Sequence, residues 1–261
     1  MGAFETMPID AGPLGVNFVG NTTAGKDSLE VTFTAFPYGN NSDNLTYYWD
    51  FDGNGVIEES GADKDTVAFT FAPGYHSIRL SVTNTLGEGA EAFKEKYIWV
   101  SASHIYVWSG GSGYPGTSWA NAFTNVQDAI NFAGGTNTIY LAGEVFDLSA
   151  GLVMSTLDNI RFLGSYAAGG EVAGSGSHDF ANHPTVLRRP GGTNFRILTM
   201  STMTDFVMER VVVTGSNVPS QPSKATGGGV NVVDSSITVV DCVVSNNQSN
   251  GGNNTINWGG G

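Results

Sequence analysis

The chain has 261 residues, which is long enough for two medium-sized domains that each bury a core of their own. It carries 24 Asp and Glu residues against 11 Lys and Arg residues, and its formal net charge is -13. Because such a field repels phosphate backbones and anionic lipids, we expect no nucleic-acid partner and no insertion of this segment into a membrane, whereas divalent cations are favoured partners.

Glycine and small polar residues dominate the rest of the composition. There are 36 glycines, and only 13% of the residues are charged, a low share for a globular protein. Gly, Asn, Ser and Thr disfavour helices and suit turn-rich β structure. The single cysteine, Cys242, excludes an intrachain disulfide. The sequence shows neither a signal peptide nor a long apolar run, so we expect any export signal to lie outside this segment.

After an N-terminal extension over residues 1–12, residues 13–101 carry short alternating runs of polar and apolar residues between Gly, Asn, Asp and Pro. Strands of about five residues with frequent turn signals predict an all-β sandwich. The predicted strands are Gly15–Val19, Leu29–Phe33, Tyr47–Phe51, Val67–Phe71, Ile78–Val82 and Lys96–Val100.

Two motifs in this region are specific. Tyr48–Gly55 reads Tyr-Trp-Asp-Phe-Asp-Gly-Asn-Gly, and Phe71–Asn84 contains a Pro-Gly-Tyr turn that leads into a strand ending in Val-Thr-Asn. Both resemble the PKD domain, in which a Trp-Asp-Phe strand precedes a glycine-rich turn. The resemblance covers most of residues 13–101 and implies an immunoglobulin-like β-sandwich. Trp49 is expected to lie in its core.

Oxygen-bearing side chains alternate in the turn that follows Trp49. The glycines between them allow the backbone to curl inward, so that the oxygens converge on a hard cation. The spacing mimics the first nine positions of an EF-hand loop, in which the seventh residue contributes its main-chain carbonyl oxygen. The pattern predicts a calcium (Ca2+) site with the ligands Asp50, Asp52, Asn54, Val56 and Glu58.

The loop departs from the EF-hand pattern at its end. Its twelfth position is Gly61, so the bidentate glutamate is missing, and Asp63 or Asp65 can replace it. The alternative is a solvated acidic turn whose Asp and Asn side chains bond their own backbone. A catalytic role is not expected, because no nucleophile or acid partner is near. His76, in the turn before a strand, is expected to pack rather than to bind a ligand.

Residues 102–261 begin with a strand and a glycine-rich loop, and then carry the one convincing helical pattern of the chain. Thr124 or Asn125 can cap the helix, and Gly134–Gly135 can end it. Because only β segments follow, this helix is predicted to cap the open hydrophobic end of an elongated domain. Four apolar residues at helical spacing predict a helix over about residues 124–133: Val126, Ala129, Ile130 and Ala133.

A loose repeat follows the helix. Val240–Asn247 lies 32 residues after Met208–Gly215, and Asn159–Gly164 has a similar character. Each is a short apolar strand closed by small polar residues. Self-similarity at a period of about 20 to 50 residues indicates a solenoid, whose coils bury their inner faces only against their neighbours.

Five segments resemble successive blocks of right-handed parallel β-helix proteins, especially polymorphic outer-membrane-type and pectate-lyase-like surface proteins. The resemblance covers nearly all of residues 102–261 and implies a right-handed parallel β-helix with an N-terminal capping helix. It does not decide an activity, because this fold hosts lyases, hydrolases and inert stalks. The segments are Gly116–Phe123, Asn137–Gly143, Ile160–Tyr166, Asn182–Leu187 and Gly227–Val230.

The same resemblance supplies an enzymatic alternative. In pectate-lyase-like enzymes, Asp residues hold calcium against an acidic sugar, and an Arg or Lys abstracts the proton. The candidates here are Asp205, Glu209, Arg210 and Asp241, with Glu209 and Asp241 stacked at equivalent positions of successive coils. No motif fixes these residues, and polar side chains that face water explain them as well.

Aromatic side chains are candidates for stacking on sugar rings, although core or loop packing is the alternative for each. Trp119 is expected to anchor the cap instead. The candidates for glycan contact are Trp108, Tyr114, Tyr166 and Trp258.

Small residues near the end of the chain have simpler interpretations. Cys242 is predicted to be a packed, inward-facing thiol rather than a nucleophile, because no His partner is near in the sequence. Asn246 and Asn247 can form an asparagine ladder at a coil turn.

These features predict a non-catalytic module of a secreted or cell-surface bacterial protein: a calcium-stabilised spacer, adhesin or glycan-binding scaffold. Its expected partners are a polysaccharide, a cell-surface glycan or copies of itself. The alternatives are a polysaccharide lyase or glycoside hydrolase with its active face on the β-helix, and a self-assembling surface filament or surface-layer subunit. Because Trp258–Gly261 looks like the opening of another coil, we expect the β-helix to continue beyond it.

Overall fold

The computed structural model describes residues 12–168, 178–218 and 227–249. The chain divides into two compact units, the first ending at Ser101 and the second starting at Ala102. The helical content of the described residues is one short helix in the second unit, and it is neither long nor apolar enough to cross a membrane.

From residue 12 onward, the first unit is built from eight strands in two sheets. A three-stranded antiparallel sheet has the order β1-β3-β6, and a five-stranded sheet has the order β2-β8-β7-β4-β5. In the larger sheet, β2 pairs with β8 in parallel, and the other neighbours are antiparallel. The strands are β1 (Gly15–Gly20), β2 (Ala24–Lys26), β3 (Leu29–Tyr38), β4 (Thr46–Asp50), β5 (Glu59–Gly61), β6 (Thr66–Phe71), β7 (Gly74–Thr83) and β8 (Gly89–Ser101).

One hydrophobic core lies between these two sheets, and it is formed by the alternate residues of their strands. Trp49 is fully buried, and its ring lies 5.4 Å from Phe18 and 5.6 Å from Phe33, centroid to centroid. Its indole Nε1–H donates to the carbonyl of Lys64 (2.9 Å), so the polar end of the ring is satisfied. The predicted strands and the predicted core tryptophan are therefore present in a β-sandwich whose strands are antiparallel except for β2 beside β8.

In the ranges that the structure describes, the second unit contains one helix and fourteen strands. The helix is α1 (Val126–Phe132). The strands are β9 (His104–Val107), β10 (Thr138–Ala142), β11 (Val145–Asp147), β12 (Leu152–Ser155), β13 (Arg161–Tyr166), β14 (Thr185–Arg188), β15 (Leu198–Ser201), β16 (Phe206–Glu209), β17 (Val211–Thr214), β18 (Asn217–Val218), β19 (Val230–Val233), β20 (Ile237–Val240), β21 (Val243–Ser245) and β22 (Gln248–Ser249).

All pairings between these strands are parallel, and the chain visits the sheets in a fixed order. The sheet orders are β9-β10-β13-β16-β20, β11-β14-β17-β21 and β12-β15-β19, so successive rounds of chain add strands to the same three sheets. In addition, β18 pairs with β22. Ile139, Phe162 and Met208 occupy the same position of successive strands and are all buried. Each round thus buries its inward side chains against the equivalent residues of the next round.

The rounds differ in length, which explains why the repeat is hard to read from the sequence. Thr138 pairs with Arg161, Arg161 with Val207 and Val207 with Thr238, so successive rounds take 23, 46 and 31 residues. The predicted alignment of Met208 with Val240 is wrong by one residue. The structure pairs Met208 with Val239, which keeps both inward-facing side chains in one column.

Helix α1 starts as predicted and ends differently. The Asn125 side chain accepts hydrogen bonds from the N–H groups of Gln127 (2.8 Å) and Asp128 (3.4 Å), which makes Asn125 the N-cap. At the other end Ala133 already has extended backbone, so the helix stops before the glycines. The helix contacts β9 and β12, which are edge strands of their sheets, and this is the place expected of a cap.

Candidate functional site

The aromatic candidates for glycan contact differ in their exposure to solvent. Tyr114 is 44% exposed, although its ring also packs edge-on against Phe123 and Phe132. Trp108 is half-buried and lies over Gly110, where an added Cβ would meet the indole at 2.5 Å. Trp258 lies outside the described residues.

Tyr166 is buried, contrary to its expected role as an exposed stacking residue. Only 7% of it is exposed, because its ring packs edge-on against Tyr140 (5.0 Å) and His178 (5.4 Å). Burial, together with the nearby phenol of Tyr140 and the carboxylate of Glu209, raises the pKa of Tyr166 to about 12. Tyr166 is therefore a neutral packing residue at physiological pH. Trp119 is also buried and packs against Tyr106.

The charged residues of the enzymatic alternative are only partly brought together. Arg210 forms ion pairs with Glu209 and with Asp241 (3.7 Å). Asp205 precedes β16 and Glu209 ends it, so these two carboxylates lie at opposite ends of one strand. The predicted stacking of Glu209 on Asp241 is wrong, because the register pairs Glu209 with Val240 and places Asp241 one residue further on.

The small residues at the end of the chain also take specific places. Cys242 is half-buried, and burial raises the pKa of its thiol, which donates to the carbonyl of Val240 (3.2 Å). The thiol is thus partly buried and hydrogen-bonded to the backbone. Within the described residues, the neighbour of Asn247 in the preceding round is Ser216 and not an asparagine. Asn247 Oδ1 accepts a hydrogen bond from the Ser216 N–H (3.0 Å).

In the first unit, the predicted calcium loop leaves the end of β4 at Asp50. Asp50 is completely buried, and both of its carboxylate oxygens accept hydrogen bonds from the loop backbone. Oδ1 accepts from the N–H groups of Asp52 (3.3 Å) and Gly53 (2.7 Å), and Oδ2 accepts from Gly55 (2.9 Å). Gly53 and Gly55 have φ values of 73° and 89°, a left-handed conformation that glycine adopts without strain. The glycines thus allow the loop to wrap around Asp50.

Asp52 and Glu58 complete a group of three carboxylates with Asp50. Each residue offers one oxygen atom, and these atoms all lie within 4.8 Å of one another. Glu58 Oε2 also accepts from the Phe51 N–H (2.7 Å), which holds that side chain over the loop. Asn54 lies beside the group, where its amide donates to Asp52 Oδ2 (2.8 Å) and its Oδ1 accepts from the Val56 N–H (2.6 Å).

Comparison with protein-family models decides what kind of domain carries this loop. Residues 15–94 match the model of the PKD domain. The first unit is a PKD domain. No curated protein and no solved structure matches the chain. PKD domains are typically extracellular adhesion or spacer modules.

Within the PKD domain, a cation that the sequence did not predict lies next to the carboxylate group. Arg79 on β7 is the register partner of Asp50, and its Nε lies 3.9 Å from Asp50 Oδ2. The hydrogen bond and charge of Glu91, helped by the charge of Asp50, hold the pKa of Arg79 above its ordinary value. The sequence shows only an Asp at the end of one predicted strand and an Arg inside a later one. The pairing of β4 with β7 is what brings the two side chains together.

The donor set of the PKD loop suits a hard cation. A carboxylate oxygen has two lone pairs, so Asp50 Oδ2 retains one after accepting from Gly55, while Asp50 Oδ1 is fully used by the backbone. Within the described residues, Asp52 and Glu58 form no ion pair, so Arg79 offsets only part of the negative charge. Asp63 and Asp65, the predicted replacements for the twelfth ligand, are not members of the group of three.

Proposed function

We propose that the chain is a non-catalytic module of an extracellular or cell-surface protein, in which a calcium-stabilised PKD domain and a β-helical unit act as a spacer and glycan-binding adhesion scaffold. The observation that carries the proposal is the PKD match at residues 15–94. PKD domains are typically extracellular adhesion or spacer modules. The formal net charge of -13 agrees with a partner that is neither nucleic acid nor an anionic membrane.

The second unit is proposed to be a right-handed parallel β-helix. Two features support this: the cyclic order in which successive rounds feed three parallel sheets, and the in-register columns of buried residues. Handedness follows from the strong preference of crossover connections between parallel strands. Such a unit is stiff along its length, because every round is hydrogen-bonded to its neighbours, and stiffness is what a spacer requires.

Calcium is proposed to bind between Asp50 Oδ2, Asp52 and Glu58, with Asn54 and the carbonyl of Val56 as further oxygen ligands. The support is the convergence of three carboxylates within 4.8 Å on a loop that two left-handed glycines curl inward. Such an ion would supply charge compensation that Arg79 alone does not give to the three carboxylates. It would then stabilise the PKD domain by binding only its folded form.

Calorimetric unfolding of the whole chain in calcium chloride and in EDTA tests the calcium site. We expect calcium at about 100 times its dissociation constant to stabilise the first unit by about 2.7 kcal/mol and to leave the second unit unchanged. Asp52→Asn and Glu58→Gln should abolish the difference. Asp43→Asn, at an exposed carboxylate outside the loop, should preserve it. Equal unfolding of the first unit in both solutions would contradict the proposal.

The non-catalytic part of the proposal is supported by the ion pairs of Arg210. The guanidinium of Arg210 is paired with both Glu209 and Asp241, so it lies against two carboxylates of the protein itself. Incubation of the chain with acidic and neutral polysaccharides, followed by chromatography of the products, tests this directly. Unchanged polymer length is expected, whereas shortened polymers that disappear with Arg210→Ala would establish the lyase or hydrolase alternative.

A further inference from the structure

A groove on the second unit lies between helix α1 and the turn that joins β11 to β12. Its volume is about 390 Å³, within the range of about 300–1,000 Å³ that is usual for small-ligand sites. Val126 and Leu152 are buried apolar residues of its lining, and Val145 is 47% exposed along it. The rest of the lining is mainly hydroxyl, amide and carboxylate groups. The groove therefore combines an apolar floor with neutral and acidic hydrogen-bonding groups.

The sides of this groove are held in place by hydrogen bonds. Gln127 on α1 accepts from the N–H of Val153 (2.8 Å) and donates to the carbonyl of the same residue (3.0 Å), which ties the helix to β12. Asp147 accepts two hydrogen bonds from Arg188, at 2.7 and 2.8 Å. The Arg188 pair holds the pKa of Asp147 below its ordinary value. A binding surface fixed in this way loses little conformational entropy when a ligand binds.

Three polar side chains of the lining are available to form hydrogen bonds with a ligand. In the described part of the chain, Thr124, Asp128 and Ser149 form neither hydrogen bonds nor ion pairs through their side chains, and all three are exposed to solvent. Thr124 and Asp128 come from the α1 side of the groove, and Ser149 comes from the opposite turn. They present two hydroxyl groups and one carboxylate across an apolar floor.

The charge of these groups selects the chemistry of the ligand. Arg188 and Asp147 neutralise each other, so the unpaired charge of the lining is the carboxylate of Asp128. Its negative charge would repel a phosphate, sulfate or uronate. A neutral saccharide offers hydroxyl donors to Asp128 and C–H faces to Val145. We propose that this groove binds a short neutral saccharide, with Asp128 accepting hydrogen bonds from two sugar hydroxyls. This inference rests on the proposed glycan-binding function and gives it a location.

Titration of the isotope-labelled whole chain with neutral trisaccharides, followed by amide NMR, tests the inference. The probes are maltotriose, cellotriose, mannotriose, xylotriose and chitotriose, with trigalacturonate as the acidic counterpart. We expect at least one neutral probe to shift the amides of Thr124, Asp128, Ser149 and Gly151, and trigalacturonate to leave them unshifted. Asp128→Asn should weaken the binding of that probe about tenfold, because a hydrogen bond to a charged acceptor is lost.

Two matched variants keep the result interpretable. Asp158→Asn removes an exposed carboxylate of the same unit outside the groove and should leave binding unchanged. Ala150→Trp, at an exposed position of the lining, should fill the groove and abolish binding without changing the melting temperature. Binding that survives Ala150→Trp overturns the groove while leaving the glycan-binding scaffold intact. The absence of shifts with every neutral probe overturns both the groove and the glycan-binding part of the proposed function.

Discussion

The two units bury their side chains in different ways. In the PKD domain, Trp49 contacts the rings of Phe18, Phe33 and Phe51, so residues from β1, β3 and β4 meet at one side chain. In the second unit, Phe206 packs on Phe162 of the preceding round, with ring centroids 6.3 Å apart. One core is therefore shared by most strands of its unit, whereas the other is a stack of contacts between adjacent rounds.

This difference predicts how much of each unit is destabilised when a buried side chain is removed. A residue shared by many strands supports the whole domain, so its loss should unfold the PKD domain as one unit. A residue in a stack supports only the rounds beside it, so its loss should be local.

Trp49→Ala should destabilise the PKD domain by about 3–5 kcal/mol, because it leaves a large cavity and orphans the carbonyl of Lys64. Calorimetry should show that the unfolding transition of the PKD domain moves to lower temperature or disappears, and that the transition of the second unit is unchanged. Trp49→Phe, which keeps most of the ring, should cost less. A loss below about 1 kcal/mol for the alanine variant would mean that the core is not centred on Trp49.

Phe206→Ala should cost about 3 kcal/mol, but only around its own round. Hydrogen exchange should accelerate in β13, β16 and β20, which are neighbours in one sheet, and should be unchanged in β9. Val207→Ala, in the same strand but on its half-buried outer face, serves as the control. Uniform acceleration across the whole unit would show that it unfolds as cooperatively as a sandwich.

Raising the pH should weaken the second unit through Tyr166. Its folded pKa of about 12 lies above the value of about 10 for an unfolded chain, so its contribution is complete below about pH 10 and is lost as the pH rises through about 12. Urea unfolding of the second unit should therefore lose roughly 2 kcal/mol between about pH 9 and about pH 11.5.

The matched variant for this measurement is Tyr166→Phe, which keeps the ring and removes the titrating hydroxyl. Its loss of stability over the same range should be smaller by nearly the whole of that amount. Burial also raises the pKa of Tyr140, so a small residual slope is expected from that residue. An equally steep loss in Tyr166→Phe would assign the alkaline instability to other groups.

Asn125→Ala should have the smallest effect, about 1 kcal/mol, because it removes the side-chain oxygen that caps α1. The melting temperature of the second unit should fall by about 2–4 °C, and that of the PKD domain should not change. Asn125→Asp keeps the capping oxygen and should restore the transition. If both variants behave alike, the cap does not contribute through its hydrogen bonds.

Much of the candidate calcium site could be predicted from the sequence, because its side chains are close in the chain. Asp50, Asp52 and Glu58 fall within nine residues, and a local loop with glycines at the right positions brings them together. Arg79 could not be placed in the same way, because it enters through pairing with a distant strand. The burial of Tyr166 was likewise invisible, since it depends on Tyr140 and His178 from other parts of the chain.

In the second unit, equivalent turns of successive rounds are also visible in the structure but not in the sequence. Thr156, Thr202 and Asp234 have positive φ values of 54°, 53° and 46°, and each follows a residue of the same register column. These turns are structurally equivalent, yet residues other than Gly or Asn occupy them, so no repeat is readable there. Stacking of the rounds imposes the turn conformation and overrides the local preference.

The sequence by itself determined the features that arise from neighbouring residues: the strand-rich character, the curled acidic loop, the Asn125 cap and the position of helix α1. Short-range backbone preferences and hydrogen bonds suffice for these. Only the tertiary structure decided the one-residue shift of the repeat, the ion pairs of Arg210, the burial of Tyr166 and the groove beside α1. Each of these depends on which strand lies beside which, and that choice is made by packing across rounds of unequal length.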